Sequence, residues 1–148
     1  MRRRVGDMWQ VYGHGLFLIT TNSYLRKDGA LVMGRGIASQ ALDRWPDVQF
    51  EYGRRVRDAC GHLGVYGLLV NEDEDFGLFQ VKKHFRASAS PDIIATSAKM
   101  LGAWCAAHPG VEVNLNYPGI GWGRLSEEVV EPIIRTLPDT VTIWTLSE

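Results

Sequence analysis

Residues 16–19, "LFLI", set large apolar side chains side by side with no polar interruption. In an extended chain neighbouring side chains point to opposite faces. A strand built from this run therefore needs apolar cover above and below, as a central strand of a sheet with helices on both sides has. The run is too short for a signal-peptide core or a membrane span, so the expected compartment is the cytoplasm, with no membrane partner.

The rest of the chain supplies such layers. "MWQVYG" (residues 8–13) and "LFLITTN" (16–22) read as strands separated by the turn "GHG". "GIASQALDRW" reads as a helix stopped by Pro46, which itself can open the next helix, "PDVQFEYGRRVRDACG". "VYGLLVNE" and "FGLFQVKK" read as strands joined by a solvated tip, "EDED". "SPDIIATSAKMLGAWCAAH" begins with Ser90 as N-cap and Pro91 in the first turn, and its apolar residues recur at helical spacing. "VEVNLNYP" is β-rich, "SEEVVEPIIRTL" is a helix capped by Ser126 in which Pro132 should introduce a kink or force an irregular start, and "TVTIWTL" is the last strand. This strand–helix alternation predicts an α/β protein with three layers, α/β/α, around a mixed central sheet. With 148 residues, no linker and no internal repeat, a single domain spanning 1–148 is expected.

Charge and cysteines narrow the function classes. The net charge of −1 argues against a general polyanion-binding surface, and "MRRR" reads as a solvated end rather than a nucleic-acid arm. Cys60 and Cys105 each fall in a helical stretch and read as small buried residues. No Cys/His cluster has zinc spacing and the histidines are scattered, so neither a metal site nor a cofactor is expected.

Two glycine-rich connections stand out. In "VMGRGIASQAL", Gly34 and Gly36 precede a helix, where free backbone N–H groups and the positive end of the helix dipole bind phosphate without a cationic side chain. "PGIGWGRLSEE" repeats the arrangement with Gly119, Gly121 and Gly123, after a strand and before a helix. Trp122, between two of those glycines, reads equally as a core residue or as a cover for a ribose. Two such loops can grip one elongated anion from both sides. Lys82 and Lys83 end a strand, so one of them faces the core or a cleft and the other faces solvent. A lysine drawn into a cleft can orient a phosphate or sugar, or serve as acid or base.

In order and spacing these motifs resemble a macrodomain, the ADP-ribose-binding fold, over nearly the whole chain. The resemblance is closest to the branch of the terminal ADP-ribose glycohydrolase and the antitoxin macrodomains that reverse DNA ADP-ribosylation. It implies that Asp7 of "GDMW" contacts the adenine amino group and that Asn22 of "TTNS" lies near the distal ribose. Met33, Gly34, Arg35, Gly36 and Ile37 would form one diphosphate loop. Pro118, Gly119, Ile120, Gly121, Trp122 and Gly123 would form the other. Lys82 of "FQVKKH" would be the catalytic lysine. The implied ligand is ADP-ribose, free or on a macromolecule, including modified DNA, and the expected protein is a monomer.

Two departures bear on chemistry. The aspartate that follows the second loop in the terminal-ribose hydrolase has no counterpart here, and Arg35 stands where another branch places an aspartate in the first loop. Asp28 and Glu127 are the nearest substitutes. The implied activity is an ADP-ribosyl glycohydrolase. The alternatives are a non-catalytic ADP-ribose reader and a phosphatase acting on ADP-ribose 1″-phosphate.

Overall fold

In the computed structural model, which describes residues 1–147, the "LFLI" run lies at the middle of a six-stranded sheet. The strands are β1 (Arg2–Val5), β2 (Leu16–Thr21), β3 (Leu68–Asn71), β4 (Phe76–Gln80), β5 (Val113–Asn116) and β6 (Val141–Thr145), in the order β1-β6-β5-β2-β4-β3. All neighbours are parallel except the β3–β4 hairpin, so the sheet is mixed. The helices are α1 (Gly36–Arg44), α2 (Val48–Ala59), α3 (Pro91–Ala107) and α4 (Glu127–Ile134).

Alternation along β2 explains the three layers. Leu16 and Leu18 enter one core with Ile94 and Leu101 of α3 and Val130 and Ile134 of α4. Phe17 and Ile19 enter the other with Ala38 and Ala41 of α1 and Val48, Tyr52 and Val56 of α2. Ser90 caps α3 by accepting from Ile93 N at 3.3 Å, with Pro91 next to it as expected.

Five expectations need correction. "MWQVYG" is a 3-10 helix over Met8–Val11 rather than a strand. The Asp7 carboxylate accepts from Trp9 N at 3.0 Å and closes the turn, and Trp9 and Tyr12, three residues apart, both pack on Phe17. "RRRV" is not a loose end but the exposed edge strand β1, where arginines discourage pairing with a further strand. α2 starts at Val48, after Pro46. Ser126 occupies the N-cap position of α4 without a side-chain bond to the helix. Of the cysteines, Cys105 is buried in α3, while Cys60 is half-buried at the end of α2.

One contact fixes how the long connection between β2 and α1 sits on α2. Gly53 is helical, yet a Cβ there would lie 2.0 Å from Gly29 O and 3.1 Å from Leu31 N. Helix propensity alone makes Gly53→Ala stabilising by about 1 kcal/mol. Forcing backbone apart costs about 1–3 kcal/mol, so the close approach wins. The expected result is a melting temperature lowered by roughly 2–6 °C in thermal denaturation.

Candidate functional site

From β2 the chain proceeds to β3 and β4 on one side of the sheet, and from β5 to β6 on the other. Ligands of open α/β sheets sit at such a switch point, beyond the carboxyl ends of the strands. A cleft of about 620 Å³ lies there, lined by Thr20 and Thr21 of β2, Asn116 of β5 and Thr145 of β6, with Lys82 just beyond β4. The paired register of β2 and β5 ends at Leu18 and Leu115. Asn116 then spans the gap, accepting from Thr20 N at 3.0 Å and donating to Thr20 Oγ1 at 2.7 Å. The floor is thus a place where a side-chain amide stands in for the ladder.

Both glycine loops line this cleft. Met33, Gly34, Arg35, Gly36 and Ile37 come from one, and Gly119, Ile120, Gly121, Trp122 and Gly123 from the other. Pro118 does not line it and is buried behind the second loop. Among the described residues, the backbone N–H groups of residues 34–38 and 119–122 have no protein acceptor. Such groups require water or a ligand, and consecutive ones form anion-binding concavities. Gly36 and Gly121 have φ of 58° and 64°, which glycine adopts at little cost. Gly119 faces the core, where a Cβ would lie 2.7 Å from Ile94 Cδ1.

Of the adjacent lysines, Lys82 lines the cleft and Lys83 is exposed outside it. Burial holds the Lys82 ammonium below the ordinary lysine range, and the Arg124 and Arg35 guanidinium groups push it down further. Its Nζ donates to Ala87 O at 3.2 Å. Arg86 also lines the cleft, while Asp7 is the only acidic side chain among the described lining residues. The surplus of positive charge suits a ligand with several negative charges.

The backbone at Lys82 is held by a residue that the sequence did not single out. Gln80 is fully buried; its Oε1 accepts from Tyr66 N and Gly67 N at 2.7 and 3.0 Å. Its Nε2 donates to Gly64 O and Lys82 O at 3.0 and 3.1 Å.

Asp7 and Asn22 both line the cleft while serving the fold. One Asp7 oxygen caps the 3-10 helix. Asn22 is buried; Nδ2 donates to Val32 O at 3.0 Å and Oδ1 accepts from Tyr24 N at 2.9 Å, fastening the approach to the first loop. Trp122 is not a core residue, since it is 59% exposed. Neither substitute carboxylate reaches the cleft. Asp28 pairs with Arg26 and accepts from Ala30 N, and Glu127 pairs with Arg3 at the start of α4. Arg86, Arg124, Asn116 and Tyr117 were also missed as lining residues. A basic residue beside each glycine or lysine motif was the available signal for the two arginines. Nothing local marked Asn116 or Tyr117.

The sequence matches no family profile and no curated protein. Solved structures do match. Thermosipho africanus DarTG in complex with ADP-ribose superposes with a TM-score of 0.72 at 20% identity, over 97% of this chain and 41% of that one. The macrodomain of Mycobacterium tuberculosis DarG gives 0.71 at 25% identity, over 97% and 95% of the two chains. The macrodomain of Thermus aquaticus DarG gives 0.67 at 19% identity, over 99% and 97%. This chain thus spans less than half of the Thermosipho chain and nearly all of the other two.

Proposed function

We propose that this chain, which has the macrodomain fold, binds ADP-ribose in the cleft and acts as an ADP-ribosyl glycohydrolase on a modified nucleic acid or protein, with residues 1–148 forming one macrodomain. The observation that carries the binding is the pair of loops with unpartnered N–H groups on one cleft. A diphosphate between them would receive amides from both sides. The Thermosipho structure with ADP-ribose supports the choice of ligand. Asp7 retains a carboxylate oxygen for the adenine amino group, and Asn22 retains one amide hydrogen for the distal ribose.

Hydrolysis breaks the bond from C1″ to the leaving atom, whose electron pair departs with the leaving group. The Lys82 ammonium donates a proton there, and water adds to C1″ and returns a proton to the amine. Burial and the neighbouring arginines make that ammonium a stronger acid than an exposed lysine. A second reading, a reader that binds without cleaving, is favoured by the lack of a lining carboxylate other than Asp7 among the described residues. Incubation with ADP-ribosylated DNA, ADP-ribosylated protein and ADP-ribose 1″-phosphate separates the cases. Release of ADP-ribose from either macromolecule supports the hydrolase. Binding without release from any substrate leaves the reader, and action on the 1″-phosphate alone makes the protein a phosphatase.

The charge around Lys82 also fixes the sign of a pH effect. A bound diphosphate raises the pKa of an ammonium that burial, and after it Arg124 and Arg35, hold down. Binding therefore takes up protons as pH rises through the depressed value, and affinity falls over the same range. Calorimetry in buffers of different ionisation enthalpy should show this uptake, and Lys82→Gln should abolish it.

A further inference from the structure

Trp122 sits between Gly121 and Gly123 with 59% of its surface exposed, an unfavourable place for an indole unless it has a partner. Its partner comes from the opposite loop: the Arg35 guanidinium carbon is 4.4 Å from the ring centroid. Among the described residues, Arg35 pairs with no carboxylate and makes no side-chain cap to α1. Nor does any backbone hydrogen bond join the two loops. The first is tied to the body through Val32, by its N to Tyr24 O and its O to Asn22. The second is tied through Gly123 O, which accepts from Ala89 N. The two walls of the cleft thus hang from different parts of the molecule and meet at Trp122, whose ring lies under the Arg35 guanidinium and beside Gly36.

We infer that Trp122 is a positioning residue for Arg35, holding the guanidinium across the mouth of the cleft so that its N–H edge meets the ligand's diphosphate. A stacked guanidinium engages the ring through its flat face and leaves its in-plane N–H donors free for phosphate oxygens. Without the indole, a long exposed side chain loses more rotamer freedom when it pairs with the anion. Trp122 then contributes to affinity through Arg35. This rests on the ADP-ribose reading above and assigns two of its residues a joint action.

A double-mutant cycle tests it, with ADP-ribose binding measured by calorimetry and exchange rates by stopped flow. Arg35→Gln is expected to weaken binding about tenfold and Trp122→Ala about three- to tenfold. The double variant should fall within about twofold of Arg35→Gln, because the second loss acts through the first. Trp122→Phe should recover most of the affinity, since a ring face remains, whereas Trp122→Leu should not. Trp122→Ala should also release ligand faster with an unchanged melting temperature. Independent, multiplying losses, or equal affinity for the Phe and Leu variants, would overturn the inference while leaving the ADP-ribose reading intact. A parent protein that does not bind ADP-ribose overturns both.

Discussion

Lys82→Ala is expected to slow release of ADP-ribose from its substrate by about 10²–10⁴-fold, the usual range for losing a positioned acid or base. ADP-ribose affinity should stay within about fivefold of the parent. The split has a physical reason. In the proposed complex most of the grip on the diphosphate would come from loop amides and guanidinium groups that the substitution leaves in place. Removing one cation also relieves repulsion from Arg35 and Arg124, which offsets part of the lost attraction. The checks are turnover by chromatography of released ADP-ribose and affinity by calorimetry. Turnover at the parent rate would sink the assignment of Lys82, and a large joint loss of affinity and turnover would make it a binding residue only.

Gln80→Leu should be among the most damaging single changes to stability, comparable with truncating a large core side chain. The side chain bonds four backbone groups, two buried N–H and two part-buried C=O, and leucine bonds none. Gly64 O keeps its bond from Ser23 Oγ, while Tyr66 N, Gly67 N and Lys82 O lose their partner. Each buried group left without a partner costs about 1–3 kcal/mol, less where the backbone relaxes. A total of roughly 3–5 kcal/mol is expected, a large part of a stability of about 5–15 kcal/mol. Chemical denaturation measures it directly. Gln80→Glu separates the two halves of the network. A carboxylate still accepts from Tyr66 and Gly67 but faces the carbonyls of Gly64 and Lys82. Burial raises the pKa of that new carboxyl group, so the variant should be most stable in acid and lose stability as pH rises through the raised value. In either variant the freed Lys82 carbonyl should lower turnover more than ADP-ribose affinity.

Much of the architecture was legible because its signals are local. The uninterrupted apolar run of β2, the Ser90–Pro91 start of α3 and the glycine pairs before α1 and α4 each carry their own stereochemistry. Alternation also allowed only one of Lys82 and Lys83 to face the cleft, though it did not say which. The misreadings have non-local causes. Met8–Val11 has the composition of a strand, but Asp7 caps it and its aromatic residues find Phe17 and Trp45 across the chain. "RRRV" carries no apolar alternation, and only its edge position beside β6 makes it a strand. Gln80 looks like any polar residue at the end of a strand until Gly64, Tyr66 and Gly67 are brought against it. Gly53 looks like a weak helix residue until Gly29 O is found where its side chain would be.

The Asn116 bridge to Thr20 has a consequence for how the cleft adapts. A spacer of fixed length sets the separation of the two central strands, so the base of the cavity has one width whatever lies above it. Guests of different bulk are then accommodated by the rim alone, and the entropy lost on association is confined to a few residues of two turns. Under the proposed function, ligand preference could then be retuned by altering those turns without disturbing the strands beneath or the placement of Lys82.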